Sequence, residues 1–167
     1  MNRRAYLAGL LVTVSGLSGC LSQGGIGGPS LVSAAIVERR GSQSPLSLSV
    51  STLRGTTTPE KPAQIQFTIQ NTGEKEASYL TGEPTPFGIL TAGDHVLWTD
   101  AYRKSNCIQT EGREIKGGCD GGPSVTLQPG QRQSETYEFS APPGEYMVED
   151  GTLEIGTMTY AVEITVQ

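Results

Sequence analysis

Residues 64–70 alternate without a break, with Ile65, Phe67 and Ile69 interleaved between Gln64, Gln66, Thr68 and Gln70. A period of two is the repeat of a β-strand, whose successive side chains point to opposite faces, and it cannot be laid on the 3.6-residue repeat of a helix. One face of such a strand has to be buried and the other wetted. The same pattern occurs upstream, where Leu46, Leu48 and Val50 alternate with Ser47, Ser49 and Ser51. It returns at the far end, where Val162, Ile164 and Val166 alternate with Ala161, Glu163 and Thr165. Half-buried strands of this kind belong to antiparallel sheets. Shorter apolar runs lie between them at Ile89-Leu90, Val96-Leu97-Trp98, Val125-Thr126-Leu127 and residues 136–139, 146–148 and 153–155, separated by Gly, Pro, Asn and Asp. No stretch has convincing helical amphipathicity and no internal repeat is present. The expectation is an all-β, antiparallel β-sandwich of seven to nine short strands.

Turn chemistry marks the reversals. Asn71-Thr72-Gly73, Pro129-Gly130 and Pro143-Gly144 combine a proline that fixes φ, or an asparagine that bonds its own backbone, with a glycine that tolerates positive φ. The succession Leu127-Gln128-Pro129-Gly130-Gln131, Tyr137-Glu138-Phe139 and Pro142-Pro143-Gly144-Glu145-Tyr146 has a definite layout. It resembles the strand, Pro-Gly, strand, Pro-Gly-x-Tyr, strand order of immunoglobulin-like modules in secreted prokaryotic proteins, including a family related to an intracellular proteinase inhibitor. That resemblance implies an immunoglobulin-like sandwich. An open antiparallel barrel is the other closure the alternation allows.

The N-terminal stretch has a different character. Arg3 and Arg4 precede an apolar run, residues 5–17, that is diluted by Gly9, Thr13, Ser15 and Gly16 and is too short to span a bilayer comfortably as a permanent helix. It ends in Leu17-Ser18-Gly19-Cys20. The paired arginines resemble a twin-arginine export signal of prokaryotes, and Leu17, Ser18 and Gly19 ahead of Cys20 resemble a lipobox. The resemblance implies cleavage after Gly19, a glyceryl lipid on the Cys20 thiol, and a chain anchored on the extracytoplasmic face of the cell membrane. Adjacent arginines also suit the general secretory route. Beyond Cys20, residues 21–30 hold four glycines and little to bury, which reads as a tether. The expected organisation is a signal peptide over 1–19, a lipidated cysteine and flexible tether over 20–42, and the sandwich over 43–167.

Cleavage before Cys20 removes Arg3 and Arg4 and no acid, leaving 148 residues with ten basic and 17 acidic side chains, a formal charge of −7 in place of −5. This is the length of one domain. Its acidity disfavours nucleic acid, since a phosphate backbone would be repelled and no counterions released. An acidic chain with this leader would suit a salt-loving archaeon, a source to which a charged fraction of 17% adds little. With Cys20 assigned to lipid, Cys107 and Cys119 remain as an even pair in a compartment that permits oxidation, and a disulfide is expected between them. Zinc or copper would need more nitrogen or sulfur ligands than one histidine, His95, can add, and a redox pair would need closer spacing. Neither metal nor cofactor is expected.

The titratable residues form no recognisable catalytic set. His95 adjoins Asp94 and lies near Asp100, but no Gly-x-Ser-x-Gly elbow accompanies it, so it reads as an exposed loop histidine. Glu145, Glu149, Asp150 and Glu154 read as a solvated edge and not as a glycosidic pair. Gly117-Gly118 and Gly121-Gly122-Pro123 lack the lysine of a phosphate loop. Asp94, Asp100 and Asp120 do not form the spaced run of a calcium loop. No enzyme is expected. A binding surface is sought between Tyr79 and Cys119, where aromatic, proline and charged residues break the alternation. There Trp98 and Phe87 read as core, and Tyr102 with the cysteine loop as exposed contact surface. The function expected is a noncatalytic surface lipoprotein that binds another protein, a glycan or an envelope component. The alternatives are a protease-inhibitor-like module or a carrier of a small ligand or metal beside a transporter.

Overall fold

The alternating stretch becomes the centre of a sheet. In the computed structural model, which describes residues 30–118, 121–148 and 153–167, strand β4 (Ala63–Asn71) buries every second residue from end to end. It pairs antiparallel with β2 (Leu46–Arg54) on one side and with β11 (Arg132–Phe139) on the other. The second sheet is built around β14 (Met158–Val166). β1 (Ser30–Gly41) runs along one edge of β14, and β12 (Gly144–Met147) and β13 (Leu153–Ile155) lie end to end along the other. A short β3 (Thr56–Thr57) adds to the start of β1, so the chain crosses from one sheet to the other through Gly55. The inner faces share one core. Ile65, Phe67 and Tyr137 come from the first sheet, and Val162, Ile164 and Val166 from the second.

Two features join the layers besides apolar contact. The rings of Phe67 and Tyr137 meet edge to face at 5.6 Å, an arrangement the ring quadrupoles favour. Tyr160 reaches from β14 to β2, where its hydroxyl accepts from the Leu48 amide at 3.3 Å and faces the Leu46 carbonyl at 3.5 Å. That contact satisfies backbone groups on an edge strand that would otherwise be open to pairing.

Between β5 (Ala77–Leu80) and its partner β10 (Ser124–Leu127) the chain makes a long excursion. It contains the hairpin of β6 (Thr91–Ala92) and β7 (His95–Val96), the single turn of helix α1 (Ala101–Lys104), and the hairpin of β8 (Gln109–Glu111) and β9 (Glu114–Gly117). Paired backbone bonds fasten it to the frame, with Trp98 and Glu138 exchanging amide-to-carbonyl bonds of 2.8 and 2.7 Å. Ala92 lies opposite Val148 in an antiparallel bridge, with the Gly93 amide donating to the Met147 carbonyl at 3.1 Å.

The all-β antiparallel sandwich expected from the alternation is the architecture found, with three differences. The described residues form 14 strands, because the excursion adds two-residue strands that leave no periodic trace. Ile89 and Leu90 pack against or within the core without forming a strand. The tether was placed over 20–42, but residues 30–41 are β1, with Val32 buried and Ala34 and Ile36 against the core. Ser42 follows β1, while the other residues of that expected tether, 20–29, and the expected signal peptide over 1–19 lie outside the described residues.

Register also fixes the ends of the sandwich. Ser30 pairs with Thr57, Leu31 and Gln167 exchange two bonds of 2.8 Å, Gly144 faces Val166, and Ala63 faces Phe139. All of these lie at one pole. Leu46 with Asn71, and Gly41 with Met158, lie at the other.

Candidate functional site

At the pole where β1 begins, a groove of about 410 Å³ opens between the Pro59-Glu60 turn, the β6–β7 hairpin, the β8–β9 hairpin and the end of β11. Each wall has a local cause. The turn is closed by Thr58 and Lys61, whose amides and carbonyls bond reciprocally at 2.9 and 3.2 Å. The hairpin reverses at Gly93, whose φ of 58° is open to glycine at little steric cost, and this turn presents Asp94 and His95. Glu138 and Ser140 are carried by β11 and the residues after it, with Glu138 directed by the Trp98 bridge.

The floor is Trp98, which is 4% exposed. Arg113 lies with its guanidinium 5.6 Å from the indole centroid and donates to the Glu138 carboxylate at 2.8 Å, and Arg103 lies 5.2 Å from the same ring. A guanidinium held by a ring face and a carboxylate is well fixed for so exposed a side chain. His95 meets the rings of Tyr146 and Phe139 edge to face at 5.2 and 6.2 Å. It is therefore half-buried in β7, a correction to the expected exposed loop histidine. Glu60 and Asp94 are exposed and carry no ion pair among the described residues. Glu114 is engaged by Lys116 at 2.5 Å, a bond that raises the ammonium's pKa.

A second groove, about 570 Å³, lies between β5 and β13 and is lined by Tyr79, Phe87, Leu153 and Ile155 among others. Burial pushes the Tyr79 phenol up to about 12, and its hydroxyl donates to the Pro86 carbonyl at 3.2 Å. Both features make it part of the frame.

Among the residues singled out from sequence, Trp98 and Phe87 are core, at 4% and 7% exposure. Tyr102 is not a contact surface. It has no exposure, its hydroxyl accepts from the Leu90 amide at 3.1 Å, and its ring meets Trp98 edge to face at 5.5 Å. Helix α1 is anchored by this side chain, which is why a tyrosine flanked by charged residues points inward. Cys107 is half-buried and disulfide-bonded. Cys119, Arg3, Arg4, Leu17, Ser18, Gly19 and Cys20 lie outside the described residues. The stretch from Tyr79 onward supplies two walls of the groove. Glu60 and Glu138 were missed, because strand pairing brings them in from distant positions, and no local pattern marks them.

Among the described residues no group of three or more His, Cys, Asp or Glu is placed to hold a metal ion, and no helix is long and apolar enough to cross a membrane. No curated protein and no solved structure matches the chain. A family model does match it, over residues 1–161, a span that ends within β14. The chain thus belongs to the family described as a domain of unknown function, DUF8130.

Proposed function

We propose that this chain is a lipid-anchored, noncatalytic binding module on the extracytoplasmic face of a prokaryotic cell membrane. Arg3 and Arg4 direct export by the twin-arginine route, Cys20 takes the lipid, and an immunoglobulin-like sandwich presents the groove around Trp98, Arg113 and Glu138. The partner is another protein or an envelope component. Cys107 pairs with Cys119 and closes the base of the β8–β9 hairpin, one wall of the groove.

The observation that carries this reading is the construction of β1. Its first residue stands ten positions beyond Cys20, and the strand is integral to the central sheet through β14. Whatever holds Cys20 therefore holds the whole sandwich, with the groove at the same pole.

The test is the Cys20→Ser variant of the full chain, followed by membrane fractionation and by thermal melting. The expected result is transfer of the protein from the membrane to the soluble fraction with an unchanged melting temperature. Retention of the variant in the membrane overturns the anchoring.

A further inference from the structure

We infer that the groove beside Trp98 takes an arginine- or lysine-bearing segment of an integral membrane protein, presented just outside the bilayer. The inference rests on the proposed anchor for its location and on the groove's own chemistry for its ligand.

Charge comes first. Four carboxylates, Glu60, Asp94, Glu114 and Glu138, line the groove against one guanidinium, that of Arg113. Arg113 is already committed to Glu138 at 2.8 Å and to the Trp98 ring, and Glu114 to Lys116. What the walls leave over is therefore negative, at Glu60 and Asp94. Both are exposed, and neither has an ion pair among the described residues. A lipid phosphate has the wrong sign for these walls.

Position comes second. Ser30, where the tether joins, pairs with Thr57, and Pro59 on the rim of the groove follows two residues later. Groove and tether therefore share a pole. The ten residues from Cys20 to Ser30 span at most about 35 Å when extended, and a glycine-rich segment of that length averages about 17 Å. β14 spans nine residues between the two poles, so the opposite pole lies roughly 30 Å farther from the anchor. The groove is at the end of the sandwich nearest the lipid, within reach of juxtamembrane segments and turned from partners approaching the far pole.

The test uses the full-length chain in detergent and a fluorescent octapeptide alternating Arg and Gly, with a Glu-Gly peptide as control, read by anisotropy. The expected result is saturable binding of the Arg peptide alone, weakened about tenfold in a Glu60→Gln/Asp94→Asn variant. A Glu74→Gln/Glu76→Gln variant, altered near the opposite pole, should bind as the parent does. No saturable binding, or equal loss in both variants, overturns the ligand. In native membranes, a photo-crosslinking amino acid at Ser140 should capture a membrane protein with a basic extracytoplasmic segment. Adducts only with phospholipid, glycan or soluble protein overturn the partner. The two readings fail separately, because peptide binding in detergent does not depend on Cys20, and release of Cys20→Ser from membranes does not depend on the groove.

Discussion

Asn71 is fully buried, and every polar atom of its side chain is used. Nδ2 donates to the carbonyls of Lys75 and Leu127 at 2.7 and 2.8 Å, and Oδ1 accepts from the Gly73 amide at 2.9 Å. One side chain thus holds the end of β4, the entry to β5 and the end of β10. Replacing it with alanine leaves three backbone groups without partners, and the expected loss is about 3 kcal/mol in urea unfolding. Asn71→Asp should lose more, since a carboxylate cannot donate to two carbonyls. The Asn71-Thr72-Gly73 turn is legible in the sequence, but the burial of its asparagine is not, because an exposed Asx turn reads identically. Tyr79 gives a pH signature. Its folded pKa, about 12, lies above the unfolded value near 10, so the stability gained by keeping the phenol neutral is complete below pH 10 and is lost as the pH rises through 12. In melting curves taken against pH, the parent should exceed Tyr79→Phe below pH 10, and the gap should close towards pH 12.

Elements that alternate strictly were legible and those held by irregular bonds were not. β2, β4 and β14 fall within a few residues of the patterns that announce them. β1 was hidden in the expected tether because Leu31-Val32-Ser33-Ala34-Ala35-Ile36-Val37 alternates weakly, and because a bulge after Ile36 leaves Val37 outward and 53% exposed. Glu38, Arg39 and Arg40 then charge an edge that would otherwise invite another strand. The segment from Ser105 to Gly118 was read as loop, whereas three- and four-residue strands pair there around Gly112. Ile115 packs against the core and Ile108 is buried, so the hairpin rests on few apolar anchors. A cross-link between Cys107 and Cys119 would restrain it in the unfolded chain as well. Replacing either cysteine with serine should lower stability by about 3 kcal/mol on the chain-entropy model, read as a fall in melting temperature.

For the whole molecule, the sandwich follows from the alternation, while the groove needs the tertiary pairing that brings residues 59–62, 94–98, 113–114 and 138–140 together. Sequence supplied the region and the physical character of two walls. It could not supply the other two, which are contiguous only in space. The placement of β1 has a mechanical side. A pull on Cys20 enters the domain at Ser30 and runs along the strand axis, so nine register pairs between β1 and β14 share the load instead of parting one after another. Under the proposed anchoring, β1 is loaded in shear, the direction in which a β-ladder resists force best, and drag on a bound partner would be borne without unzipping the sheet that supports the groove.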